Sequence, residues 1–232
     1  RAALRYNTTG KWNSAVGYTA LFCTTTGCKN TASGAYALHY NTTGIENAGH
    51  GYAALYCNTT ASYNTAVGGC SLFHNTTGAQ NTAVGYKALV ANTCGCRNTA
   101  VGECALYANT TGFENTASGW YSLAANTTAC RNTAFGAGTL RSNTTGWGHA
   151  AVGWYALNQN TTGCYNVAVG PRALNDNTTG NRNTALGGWS LRKNTTGNNN
   201  TASGYYALNL NTTGSCNTAA GMHSLQKNTT GN

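Results

Sequence analysis

The sequence is poor in most of what builds a conventional globular domain. Of its 232 residues only 7% are charged, with four acids among them, and there is one proline and one methionine. Leu, Ile, Val and Phe together make up about one residue in eight, too few for an ordinary packed core and a level more typical of disordered chains. A single proline excludes polyproline and collagen-type filaments. The net charge of +9 repels itself only weakly over this length. No apolar run reaches the roughly 18 residues that a membrane helix needs, and residues 1–10 do not read as a secretory leader. With no methionine at its start, the chain reads as a mature or excised segment. Order must come from repetition.

Written in rows of 17 from Asn13, the chain aligns as Asn-Thr-Ala-Val-Gly-x-x-Ala-Leu-x-x-Asn-Thr-Thr-Gly-x-x, with no insertion or deletion. Residues 1–12 are the back part of an earlier row. Column nine is Leu in all 14 rows, column five Gly in all 13 that contain it, and column thirteen always Thr. Columns six, seven, ten, eleven, sixteen and seventeen vary from Trp to Lys, so the fixed columns face inward or turn corners and the variable ones face solvent. Such phasing indicates a solenoid with one row per coil.

Seventeen residues are too few for a pair of helices, which takes about 33 per repeat, and glycines at columns five and fifteen interrupt any helical period. The sequence therefore predicts an all-β fold, a parallel β-solenoid (β-helix or β-roll) with two or three short strands per coil joined at Gly and Asn corners. It reads as one continuous domain over 1–232, about 13.6 coils without a capping domain, stacked at roughly 4.8 Å into a rod on the order of 65 Å long. Stacked Leu, Ala and Asn would replace a large core.

The row Asn81-Thr82-Ala83-Val84-Gly85-Tyr86-Lys87-Ala88-Leu89 resembles the head repeats of trimeric autotransporter adhesins of the YadA type. It is also similar to the NTAxGxxAL/NTTG arrays of phage tail-fibre-like and large surface proteins. The resemblance covers the whole chain, although the Asn-Thr-Thr-Gly segment lengthens the repeat. It implies a left-handed parallel β-roll and a fibrous or adhesive role, outside the cell or on a cell or virion surface.

Several columns are candidates for chemistry. Asn7, Asn41, Asn58, Asn75, Asn109, Asn126, Asn143, Asn160, Asn177, Asn194, Asn211 and Asn228, with Asn199, each open a formal N-glycosylation motif. The alternative for column twelve is an Asn ladder at a corner, as in column one, where Asn recurs without making that motif. Cysteines two coils apart in one column would be roughly 9.6 Å apart, beyond the roughly 7 Å limit for a disulfide. The pairs left open are Cys23 with Cys28, and Cys94 or Cys96 with Cys104. No metal site or cofactor is expected, because Cys94 and Cys96 stand too close for a zinc pair and the five histidines form no motif. In column ten, Phe22, Tyr56, Phe73 and Tyr107 form a stripe suited to contact with another chain or a flat ligand such as carbohydrate.

An enzyme would need unlike groups converging at one place, and every coil here resembles the last, so catalysis is not expected. Basic residues in column seventeen (Lys29, Arg97, Arg131, Arg182) are diluted by Glu46 and Glu114, and no nucleic-acid-binding module accompanies them. The expectation is a structural extracellular fibre or filament subunit, N-glycosylated, with an adhesive face and self-association end to end or side by side. The alternative is an ice-binding solenoid using Thr columns. Against it, columns thirteen and fourteen are adjacent and would point to opposite sides of a strand.

Overall fold

The computed structural model describes residues 2–232. It is a parallel β-solenoid with one coil per 17-residue row. The chain divides into two compact units, Arg1–Glu114 and Asn115–Asn232. In the first, the strands Ser14–Val16, Thr31–Ser33, Ala48–His50, Thr65–Val67, Thr82–Val84 and Thr99–Val101 pair in parallel in chain order. In the second, seven strands from Thr116–Ser118 to Thr218–Ala220 do the same. Each residue faces its equivalent 17 positions away, as Ala66 faces Ala83 and Val67 faces Val84. Strand side chains alternate, so the Ala of column three is buried while columns two and four look outward.

Among the described residues each coil contributes one strand of three residues, where the sequence suggests two or three strands. The reason is backbone handedness. Columns seven, nine and seventeen adopt left-handed conformations, with φ between 46° and 62° for their non-glycine residues. All 14 column-nine leucines do so. A left-handed non-glycine residue costs about 1–2 kcal/mol, and the winding it permits makes the offsetting bonds. Column seven donates to the coil before (Tyr36 N to Tyr18 O, 2.8 Å) and column nine to the coil after (Leu38 N to Ala54 O, 2.9 Å). Column five needs glycine for a second reason. At Gly85, φ is +132° and a Cβ would lie 2.6 Å from the carbonyl oxygen of Gly102.

The interior is thin. Twelve leucines from Leu21 to Leu208 are fully buried, flanked by the small residues of columns three and eight. The rest of the interior is polar, and its hydrogen bonds close on themselves. In column one, Asn81 Nδ2 donates to Asn64 Oδ1 (3.2 Å) and to the Gly95 carbonyl (2.9 Å), and Asn64 Oδ1 also accepts the Asn81 backbone N–H (2.9 Å). In column twelve, Asn92 Nδ2 donates to Asn75 Oδ1 (2.7 Å) and to the same Gly95 carbonyl (3.0 Å). Two Asn ladders thus meet at one column-fifteen carbonyl per coil, from glycine or, at Ala61 and Ala129, from alanine, leaving their buried amides with partners. Column thirteen is always Thr because its hydroxyl donates to the next coil, as Thr76 Oγ1 does to Thr93 O (3.1 Å). That carbonyl also accepts the backbone N–H groups of Thr76, Thr77 and Gly78.

Row one breaks the column-twelve ladder. Thr24 stands in place of Asn, fully buried, and its Oγ1 has no hydrogen-bond partner among the described residues. Thr24→Asn should restore the ladder and raise stability by about 1–2 kcal/mol, whereas Asn75→Ala should lower it by about 2–3 kcal/mol by stranding buried partners. Urea-unfolding midpoints of the two variants check both signs.

Candidate functional site

The fixed columns turn inward, which decides the fate of the acceptor motifs. Asn41, Asn58, Asn75, Asn109, Asn126, Asn143, Asn160, Asn177, Asn194 and Asn211 are fully buried. Their Nδ2 atoms are committed to the coil, as in Asn177 to Asn160 Oδ1 (2.8 Å) and Gly180 O (3.0 Å). The expectation of glycans on these residues is corrected: a nitrogen buried and bonded in this way cannot carry an oligosaccharide in the folded chain. Asn7 is exposed and Asn228 half-buried. Asn199, in column seventeen, is exposed with φ 56°.

All ten cysteines are free thiols. Neither Cys23 with Cys28 nor Cys94 or Cys96 with Cys104 is joined; Cys104 is buried while Cys94 is exposed. Column sixteen gives its cysteines another task. Cys28 Sγ accepts the Lys11 N–H (3.4 Å) and donates to Thr26 O (3.3 Å). In the same column Asn181 accepts the Cys164 N–H (2.8 Å) and donates to Thr179 O (2.9 Å). The thiol and the carboxamide fill one corner role. Burial pushes the Cys23 and Cys57 thiols up, which disfavours the reactive thiolate.

The column-ten stripe is brought together in the first unit. Phe22, His39, Tyr56 and Phe73 stack in succession, with ring centroids 5.1, 5.3 and 4.9 Å apart. Hydrogen bonding to Tyr40 pushes the Tyr56 phenol up to about 12, with burial acting in the same direction. Tyr107 lies further along the column and is exposed. In the second unit the column changes character. Asn158, Asn175 and Asn209 donate to the column-seven carbonyls of Gly138, Tyr155 and Trp189 at 2.7–2.9 Å. Sequence reasoning missed the aromatic residues of columns six and seven in this unit. Their signal was the adjacent pairs Trp120-Tyr121, Trp154-Tyr155 and Tyr205-Tyr206. On the column sixteen and seventeen side, a groove of about 370 Å³ is lined by Trp147, Cys164, Tyr165, Asn181, Arg182, Asn198 and Asn199.

His149 is the one substitution in the column-one Asn ladder. It is buried and reproduces the Asn pattern. Its backbone N–H donates to Asn132 Oδ1 (3.1 Å), and its Nδ1 accepts the Asn166 N–H (3.1 Å). The ring proton therefore sits on Nε2, on the side of Gly163 and 3.2 Å from Asn160 Nδ2. A second proton on Nδ1 would face the Asn166 N–H. Burial pushes the imidazole down to about 4.

No protein-family model matches the chain, and no curated protein or solved structure shows significant similarity to it. Its function has to be read from the coil itself. His149 makes the fold acid-sensitive in a defined window. Its ordinary value is 6.5 and its folded value about 4, so below pH 6.5 the unfolded chain takes up a proton that the folded chain refuses. Stability should fall by about 1.4 kcal/mol per pH unit through that window. His149→Asn should flatten this dependence, as followed by denaturant midpoints from pH 7 to pH 4.

Proposed function

We propose that the chain is a structural β-solenoid of an extracellular or surface-displayed fibre, which self-associates side by side and presents a contact face. The observation that carries this reading is the outward face of the sheet. In column four of the first unit Val67 pairs with Val84 and Val84 with Val101, and in the second unit Phe135, Val152, Val169 and Leu186 lie on consecutive paired strands; all of these but Val84 are 38–44% exposed. Scattered apolar residues on a surface are ordinary, but a file of them along consecutive strands within one unit is the kind of patch that another chain covers. A second copy carries the same file at the same spacing of roughly 4.8 Å. The stacked rings from Phe22 to Phe73 add a second apolar file in the first unit. The resemblance to adhesin head repeats supports a fibre of this kind.

Replacing Val67 and Val101 with Lys should leave the circular dichroism unchanged and shift the protein from oligomer to monomer in size-exclusion chromatography with light scattering. A wild-type protein that is monomeric at high micromolar concentration would remove the reading.

One observation favours a second reading, adsorption to ice. In the first unit column two places Thr31, Thr65, Thr82 and Thr99 on the outward face beside column four, which gives two parallel files where the sequence offered none. There Ala48 interrupts the first file, and Ser33 and His50 interrupt the second. Under the fibre reading the purified chain shows no thermal hysteresis. A measurable freezing gap, abolished by Thr82→Lys, would replace it.

A further inference from the structure

Residues 115–232 hold four of the five tryptophans and seven of the thirteen basic residues, with Asp176 as their only acid. Columns six, seven and ten gather many of these into one array. The Arg172 guanidinium lies over the rings of both Trp154 (4.7 Å) and Trp189 (4.9 Å), one from the coil before and one from the coil after. Arg192 covers Trp189 as well, at 4.7 Å. Tyr206 stacks on Trp189 with centroids 5.8 Å apart and planes 5° apart, and His223 stacks on Tyr206 at 5.4 Å. Further back, Arg141 lies 5.0 Å from the Tyr121 ring.

Two features of this array point to a ligand. Arg172 and Arg192 are held by ring faces rather than by carboxylates, and their buried Nε–H groups have no acceptor among the described residues. Stacking fixes each guanidinium before any ligand arrives, which lowers the ordering cost of binding. The second feature is orientation. The rings of Trp189, Tyr206 and His223 face one another along the stack, so they turn their edges outward, and an aromatic edge carries the positive end of the ring quadrupole. Ring edges and guanidinium forks together make a file that favours anions, and the planar fork suits carboxylate and sulfate groups.

We propose that this array binds an anionic polysaccharide, with sulfate or carboxylate groups engaging Arg172 and Arg192. The coil spacing of roughly 4.8 Å is close to the length of one sugar ring, so successive charged sugars can meet successive coils. Single-stranded nucleic acid fits less well, because its bases bind by stacking on free aromatic faces, and most faces here are taken. The proposal gives the fibre a ligand and in that sense rests on that reading, but its residues lie in columns six, seven and ten and are separate from the column-four file.

The test is calorimetric titration of the full chain with dextran sulfate and polygalacturonate, with neutral dextran and oligo-dT as comparators. The charged glycans should bind and neutral dextran should not. Arg172→Gln with Arg192→Gln should weaken binding at least tenfold, and Arg172→Lys with Arg192→Lys should also weaken it, since charge is kept but the fork is lost. Lys193→Gln with Lys227→Gln removes the same charge elsewhere and should change affinity less than threefold. Circular dichroism confirms that each variant is folded. Equal losses in the glutamine pairs, full affinity in the lysine pair, or tighter binding of oligo-dT would overturn the proposal. The monomeric variant Val67→Lys with Val101→Lys separates the two readings. Glycan binding without association in the wild type removes the fibre alone, and association without glycan binding removes the ligand alone.

Discussion

A buried carboxamide must find partners for its N–H groups and its oxygen, and the whole coil is arranged around that demand. Asn in columns one and twelve satisfies it by stacking on its own equivalents and by sharing one column-fifteen carbonyl per coil, as Asn81 and Asn92 share that of Gly95. The solution works only if neighbouring coils keep the same length and the same register. It therefore explains the strict 17-residue phase, the absence of insertions and the small apolar content together. The leucine column fills space, but Leu cannot specify a register by itself, whereas the amide ladder admits one.

The same economy divides the residues into two sets. Those that hold the coil spend their polar groups on each other and face inward, which is why the Asn-Thr-Thr motifs are structural. Those in columns such as four, six, seven and ten are free to differ from row to row, and outward columns of this kind are where function can be carried. The two units use this freedom differently. In the first, column ten carries a stack of Phe22, His39, Tyr56 and Phe73. In the second, column ten supplies Asn and Arg, and the rings move to columns six and seven, where Arg172 and Arg192 lie over them. One scaffold thus presents an apolar stripe and a cationic one.

Much of the fold was legible in the sequence because the period is strict. The invariant Leu and Gly columns and the nearly invariant Ala column gave the coil length, the parallel register and the inward faces. The number of strands per coil was not legible, because left-handed backbone at residues such as Leu38 or Lys29 has no signature in residue type when glycine is not used. The stripe through Phe22, Tyr56 and Phe73 could be read from one column, since stacking acts between equivalent residues. The run Arg172, Trp189, Tyr206 and His223 lies in column seven and was legible in the same way, but the contacts of Trp154 and Arg192, from columns six and ten, were not, since only the folded coil sets Trp154 beside Arg172. The Asn motifs were ambiguous for a simple reason: a sugar acceptor and a ladder residue are the same side chain, and burial alone separates them.

The in-register stacking of coils is tested most directly by deletion. Removing residues 64–80, one full coil from Asn64 to Gln80, should leave a folded protein with an unchanged circular dichroism spectrum per residue and a similar melting temperature. Removing Ala66 alone should bring Val67 into the buried strand position, break the register there and lower the melting temperature sharply. An unfolded product from the full-coil deletion, or a single-residue deletion without effect, would contradict the account.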